Sequence, residues 1–157
     1  VWIALQAATR EGHGMIHLKR AETAGLTPDD ISDSLAIAAA VETWTVLEFG
    51  DHHWHAWTPL DAAIPRYFRI FEASRGGIPA ATAEITAITC HAARRTHAAM
   101  KRHLPRAFAA GATAGQVAEA LSFMLLPAGG PCLIDAVQAW AEAHEADPSL
   151  PSPYAPA

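Results

Sequence analysis

The chain has 157 residues, of which 51% are hydrophobic, and its eleven Lys and Arg against sixteen Asp and Glu leave a formal net charge of −5. This length and apolar content are enough for one domain with a sizeable core, or for two small units packed together. The acidic balance and the lack of a basic stripe with interleaved aromatics argue against nucleic acid as a partner. No run of about 18 uninterrupted apolar residues exists to span a membrane, so we expect no membrane partner.

The two cysteines, Cys90 and Cys132, are too few for a disulfide framework, so we expect a cytoplasmic protein. No signal-peptide pattern opens the chain. The first five residues, Val-Trp-Ile-Ala-Leu, instead read like the interior of a helix, and we expect the polypeptide to have been trimmed upstream of them.

The sequence pattern predicts an all-α protein, because Ala is abundant, β-branched runs are few and no segment alternates with the period of a strand. In chain order we predict helices over residues 2–24, 28–48, 66–73, 81–110, 113–126 and 132–146, the first of them with breaks at Gly12 and Gly14. For the helix over residues 81–110, the sequence allows either one continuous helix or a break near His91. A His- and Trp-rich connector is predicted over residues 51–65, and a Pro-rich tail over residues 148–157, either disordered or lying on a neighbouring element.

One pattern occurs twice in the chain. Residues 17–27 and 103–113 share His, Leu, Arg, Ala, Ala, Gly and Thr, position by position. In each copy the Gly fits the end of one helix and the Thr fits the N-cap of the next. We therefore predict two related helical units, a partial one over residues 1–50 and a second over residues 66–147.

The repeated unit resembles the carboxymuconolactone decarboxylase family, which includes the alkylhydroperoxidase D-like proteins. The shared pattern is a helix with a histidine, a Gly eight residues later, and a Thr-capped helix rich in Glu and Leu. Thr9-Arg10-Glu11-Gly12 followed by His17-Leu18-Lys19-Arg20-Ala21 is especially similar to the decarboxylase branch. The resemblance implies an alkylhydroperoxidase D-like helical domain that assembles as a homo-oligomer, either a trimer or a hexamer.

The chain departs from the peroxidase branch of that family, which uses a Cys-x-x-Cys pair shortly before the histidine. Thr96 and Ala99 hold the corresponding places in the second copy, and Arg10 and His13 hold them in the first. A dithiol relay needs two neighbouring thiols, one to attack and one to resolve. We therefore expect no peroxidase activity by that mechanism.

His103 is the leading catalytic candidate, because an imidazole that titrates near neutral pH both donates and accepts a proton. The family carries a glutamate on the preceding helix, and Glu84 stands at the matching place, where it would orient His103. On one unbroken helix the two side chains would lie on different faces, so their pairing requires the interruption near His91. The alternative is structural: His103 packs under the turn at Gly111 and Glu84 is solvated.

The first copy supplies a second group of candidates. His13 and His17 are catalytic candidates, since their i, i+4 spacing places both on one helix face. Arg10 and Arg20 are candidates for binding a substrate carboxylate, with Glu11 beside them. The alternative interpretation is an ordinary polar helix face.

These observations predict a cofactor-independent lyase or isomerase that acts on a small carboxylated substrate by histidine acid–base chemistry. One alternative is a metal-dependent enzyme that uses either His13 and His17 or the cluster of His52, His53 and His55, although the Glu of the metalloprotease motif is missing. The other is a non-catalytic oligomeric scaffold, for which no enclosed polar pocket around the repeated histidines is expected.

Overall fold

The structure is a computed structural model that describes residues 1–12 and 15–154. It contains α1 (Trp2–Thr9), α2 (Met15–Thr23), α3 (Pro28–Trp54), α4 (Leu60–Ser74), α5 (Ala80–Ala93), α6 (His97–Ala109), α7 (Ala114–Ser122), a 3-10 turn (Phe123–Leu125) and α8 (Gly129–Ala146). No strand occurs in this described part, so the all-α prediction is confirmed. Of the helices described, none is both long enough and apolar enough to cross a bilayer.

Helix α5 is the centre of the fold. Its sequence, AATAEITAITCHAA, has one carboxylate and no Lys or Arg, and ten consecutive residues from Ala83 to Ala92 are buried. A helix that is apolar all round has to be surrounded by other helices, and α5 contacts α1, α3, α6, α7 and α8. Glu84 is buried for this reason, since its helix has no solvent-facing side.

The break between α5 and α6 folds the chain back on itself. Arg95 takes a left-handed conformation there, with φ of 60°, and α6 then packs along α5. A left-handed residue ends the hydrogen-bonded ladder of a helix and redirects the chain. The predicted interruption near His91 is confirmed, a few residues further on than His91 itself.

The two copies of the repeated pattern form the same turn. Gly25 and Gly111 have φ of 93° and 92°, a conformation that costs a glycine little. Each turn closes with a backbone bond from the residue after the glycine to a carbonyl five residues earlier, at 3.0 and 2.9 Å. Thr27 and Thr113 then cap the following helices, α3 and α7, with reciprocal capping boxes. The Gly and Thr of the repeat are therefore structural.

The connector predicted over residues 51–65 is shorter than expected. Helix α3 continues to Trp54, and α4 already begins at Leu60. The Asp51 carboxylate accepts a hydrogen bond from the Leu60 backbone N–H at 2.8 Å. Asp51 thus lies within α3 and caps the start of α4. The division of the chain into two related units stays a prediction.

The helix predicted over residues 2–24 is two helices. Arg10 ends α1 in a left-handed conformation, with φ of 60°, and its backbone N–H returns to the carbonyls of Gln6 and Ala7. The apolar pattern on both sides of Arg10 suits a helix, so periodicity alone does not reveal this stop.

The Pro-rich tail packs on its own chain. Leu150 is buried, Trp140 Nε1 donates to the Pro151 carbonyl at 2.8 Å, and His144 Nδ1 donates to the Leu150 carbonyl at 2.6 Å. Of the two alternatives for residues 148–157, the first part of the tail therefore lies on a neighbouring element, which is α8.

Candidate active site

Two buried side chains on α5 and α6 form the centre of the site. His103 is 0% exposed and Glu84 is 2% exposed, and His103 Nδ1 lies 2.6 Å from Glu84 Oε2. Arg106, one turn beyond His103, donates from Nε to Glu84 Oε1 at 2.7 Å. Both oxygens of the carboxylate are thus hydrogen-bonded, as a buried carboxylate requires. The fold brings together the two residues, Glu84 and His103, that the family pattern places in one site.

Arg106 connects the buried pair to the surface. Its side chain is 35% exposed and forms an ion pair with Glu72 on α4. Its guanidinium carbon lies 4.3 Å from the centroid of the Phe68 ring, and that ring meets His103 edge to face at 5.3 Å. Phe68 and Arg106, both half-buried, therefore form the outward side of the site.

On its other side His103 continues into a chain of buried hydrogen-bonding groups. Tyr67 on α4 is fully buried, and its Oη lies 2.7 Å from His103 Nε2 and 2.8 Å from His91 Nε2. His91 is fully buried as well, and its Nδ1 lies 2.7 Å from Thr96 Oγ1. Five polar side chains in a row, from Glu84 to Thr96, thus contact one another inside the protein.

Aromatic and apolar side chains surround this row. Trp44 meets Tyr67 edge to face at 5.2 Å between ring centroids, and Phe71 meets His103 at 4.8 Å. Ala99 packs in the same cluster as Trp44 and Tyr67. Hydrogen bonds in such surroundings are stronger than in water, and a polar atom left without a partner is costly. The row is therefore held in one arrangement of heavy atoms.

Burial sets the protonation states of these groups. Removal of the Glu84 carboxylate from water raises its pKa to about 7, and the Arg106 charge offsets only part of that rise. Burial lowers the pKa of His103 to about 3, and Arg106 lowers it further. Burial also lowers the pKa of His91 and raises that of Tyr67. The expectation that His103 titrates near neutral pH is wrong, because burial disfavours the imidazolium; the near-neutral pKa belongs to Glu84.

The surroundings of the first-copy histidine differ from those of His103. His17 is half-buried, its ring meets Trp2 at 4.9 Å, and both line a cavity of about 320 Å³ together with Glu11. Helix α2, which carries His17, buries none of its residues. His13 lies outside the described residues.

The arginines named as carboxylate binders also lie apart from His103. Arg10 donates to the Ala7 carbonyl at 2.7 Å and faces Glu42 at 3.5 Å, and Arg20 is exposed on α2. The arginine at the site is Arg106, which occupies in the second copy the place of Arg20 in the first. That shared position is the sequence signal that points to Arg106 as a site residue. No motif marks Tyr67 or His91.

The geometry bears on the metal and thiol alternatives. Across residues 1–12 and 15–154, no group of three or more His, Cys, Asp or Glu is placed to hold a metal ion. Within the histidine cluster, His55 Nδ1 contacts Asp51 at 2.7 Å.

Cys90 and Cys132 are free and lie on different helices, and burial raises the pKa of the Cys90 thiol to about 12. A thiol with such a pKa is a poor nucleophile.

Comparison with known proteins identifies a family. A family model described as "Carboxymuconolactone decarboxylase family" matches residues 61–142, more than half of the chain. No curated protein and no solved structure gives a significant match. The matched segment contains the whole buried row and Arg106, whereas His17 and its neighbours precede it. The match confirms the resemblance drawn from the repeated pattern and, with the all-helical structure, the expected fold.

Proposed function

We propose, because the chain belongs to the carboxymuconolactone decarboxylase family, that it is a lyase that decarboxylates a small carboxylated substrate by acid–base catalysis. The substrate class is a lactone or other unsaturated ring acid whose carboxylate is attached to a saturated carbon that lies α to a carbonyl group, either directly or through a conjugated C=C bond. The observation that carries the proposal is the 2.6 Å contact between Glu84 and His103, buried beside a half-exposed arginine. The pKa of about 7 for Glu84 is that of an efficient general acid at neutral pH.

Arg106 is the residue that fits an anionic substrate. A guanidinium binds carboxylates through paired hydrogen bonds, and Arg106 already holds the carboxylates of Glu84 and Glu72. A substrate carboxylate would replace Glu84 as its partner. Glu84 would then lose the cation that lowers its pKa and would take up a proton. Substrate binding thus prepares the acid that the reaction needs.

In the chemical step the bond between the substrate and its carboxylate carbon breaks and CO₂ leaves. The electron pair stays on the substrate as an enolate, and the nearby Arg106 charge stabilises the developing oxyanion. The proton of Glu84 then adds to the substrate carbon and restores the carbonyl. General acid catalysis of this kind contributes roughly 10²–10⁴-fold to the rate.

The proposal is tested by turnover of a panel of carboxylated lactones and unsaturated ring acids. In D₂O we expect CO₂ release and a product with one solvent deuteron on carbon. In H₂O we expect kcat/KM to fall above pH about 7, as Glu84 loses its proton. Deuterium exchange without CO₂ release would show an isomerase instead, and no turnover of any panel member would contradict the proposal.

We also propose that the protein is a homo-oligomer, a trimer or a hexamer. Large apolar side chains are exposed along α3, α4 and the turn between them: Val46 (69%), Phe49 (51%), Trp57 (82%) and Ile70 (47%). Large apolar side chains exposed on two helices that pack together are typical of a subunit contact. Light scattering is expected to give a multiple of 16.7 kDa, and Phe49→Glu is expected to lower that mass. A wild-type mass of one chain would contradict the assembly.

A further inference from the structure

The five contacting groups from Glu84 to Thr96 can carry a proton. We propose that Glu84, His103, Tyr67, His91 and Thr96 form a proton route between the buried acid and the α5–α6 turn, in which Tyr67 is the positioning residue that couples the two imidazoles. The use of this route in turnover rests on the proposed function, whereas its existence does not.

When Glu84 is ionised, every donor in the row meets one acceptor. The Thr96 hydroxyl donates to His91 Nδ1, and His91 Nε2–H donates to Tyr67 Oη. The Tyr67 hydroxyl then donates to His103 Nε2, and His103 Nδ1–H donates to Glu84. A neutral imidazole has one N–H, so this state fixes both tautomers: His103 carries its proton on Nδ1 and His91 carries its proton on Nε2.

When Glu84 is protonated, the same contacts operate in reverse. Glu84 donates to His103 Nδ1, His103 Nε2–H donates to Tyr67, Tyr67 donates to His91 Nε2, and His91 Nδ1–H donates to Thr96 Oγ1. The Thr96 hydrogen turns to the His91 carbonyl oxygen, 3.2 Å away. Both tautomers have switched, and every group still has a partner without any movement of heavy atoms.

The two states differ by one proton. The Thr96 hydroxyl passes its proton to His91 Nδ1 and takes up a proton from solvent, and His91 releases its Nε2 proton to Tyr67. Tyr67 passes its own proton to His103 Nε2, and His103 releases its Nδ1 proton to Glu84, so no charge remains on the three groups between. Thr96 is half-buried at the α5–α6 turn, whereas Glu84 and His103 are closed to solvent. The route therefore restores to Glu84 the proton that decarboxylation consumes.

Charged and titratable groups reach this row from several helices. Besides the members of the row, they are Glu72 on α4, Cys90 on α5, Arg94 directly after α5, and Arg106 on α6. Helices α7 and α8 present apolar core residues to α5, among them Val117, Leu121 and Ala136. Burial keeps the phenol and both imidazoles neutral at neutral pH, so Glu84 drives the switch.

Nuclear magnetic resonance of ¹⁵N-histidine-labelled protein tests the route without substrate. As the pH rises from about 5 to 9, through the Glu84 pKa of about 7, we expect the proton of His103 to move from Nε2 to Nδ1. We expect the proton of His91 to move from Nδ1 to Nε2 at the same midpoint. Tyr67→Phe keeps the ring against Trp44 but removes the hydroxyl; His103 should still follow Glu84, and His91 should no longer switch.

Thr96→Val is a second variant that leaves Tyr67 in place, and it should hold His91 with its proton on Nε2 throughout. Thr89→Val is the matched control, because the buried Thr89 hydroxyl donates to the Ile85 carbonyl of its own helix, outside the row, and this variant should switch like wild type. The route is overturned if His91 in the wild type keeps one tautomer while His103 switches, or if Tyr67→Phe leaves the His91 switch unchanged. These readings need no turnover, so an inactive panel in the decarboxylation assay would count against the proposed function alone.

Discussion

Replacement of His103 by Gln is expected to lower kcat/KM for decarboxylation by about 10²–10⁴-fold. The Gln side chain has one amide donor and one carbonyl acceptor in roughly the positions of the two imidazole nitrogens. It therefore keeps one hydrogen bond toward Glu84 and one toward Tyr67, which limits the loss of stability. An amide does not exchange donor and acceptor by a proton shift, so proton transfer between Glu84 and its neighbours stops.

His55→Gln is the matched control, because His55 is 75% exposed and contacts Asp51 at the end of α3. Initial rates on any panel substrate, with circular dichroism to show that both variants are folded, make the measurement. The control should turn over like wild type. Full turnover by a folded His103→Gln variant would remove His103 from the mechanism, and loss of turnover in His55→Gln would favour the histidine-cluster alternative.

The parts of the fold that depend on local signals could be predicted from the sequence. Gly111 indicates a helix end through its backbone preference, and Thr113 indicates a helix start as an N-cap residue. The apolar composition of α5 indicates a buried helix. The pairing of Glu84 with His103 could be predicted from the family pattern, but not from hydrophobic periodicity. Local patterns of this kind say which helices exist, and they leave open which side chains meet.

The remainder of the site depends on packing between helices that are distant in sequence. Tyr67 lies 24 positions from His91 and 36 from His103. The packing of α4 side chains against α5 and α6 brings these three residues together. The same burial reverses the expected order of pKa values between Glu84 and His103. A repeated His in the sequence also does not imply a repeated site, because the helix that carries His17 is not enclosed by others.

The stability of the protein is expected to depend on pH through Glu84. Burial raises the pKa of Glu84 from 4.5 to about 7. Between these values the folded protein holds a proton on Glu84 that the unfolded chain has lost, so the Glu84 contribution to the free energy of unfolding falls as pH rises. It is fully present below pH 4.5 and is lost by pH about 7. The size of the change is on the order of 3 kcal/mol.

The two buried histidines have the opposite effect on the pH dependence of stability. Burial lowers the pKa of His103 from 6.5 to about 3 and also lowers that of His91. Below pH 6.5 the unfolded chain therefore binds protons that the folded protein does not, and the contribution of each histidine rises with pH. The pH dependence of wild-type stability alone thus does not isolate the contribution of Glu84. The free energies of unfolding of the wild type and of a Glu84 variant have to be compared.

Glu84→Gln isolates the carboxyl group, because the amide has the same shape and does not titrate. We expect urea unfolding at several pH values to show the variant gaining on wild type as pH rises from about 4.5 to 8, by on the order of 3 kcal/mol. Glu119→Gln on the exposed side of α7 is the control, and its difference from wild type should stay within about 0.5 kcal/mol. A difference of opposite slope would mean that Arg106 outweighs burial at Glu84. Glu84 would then be ionised at neutral pH, and the proton added to the substrate would have to come from another group.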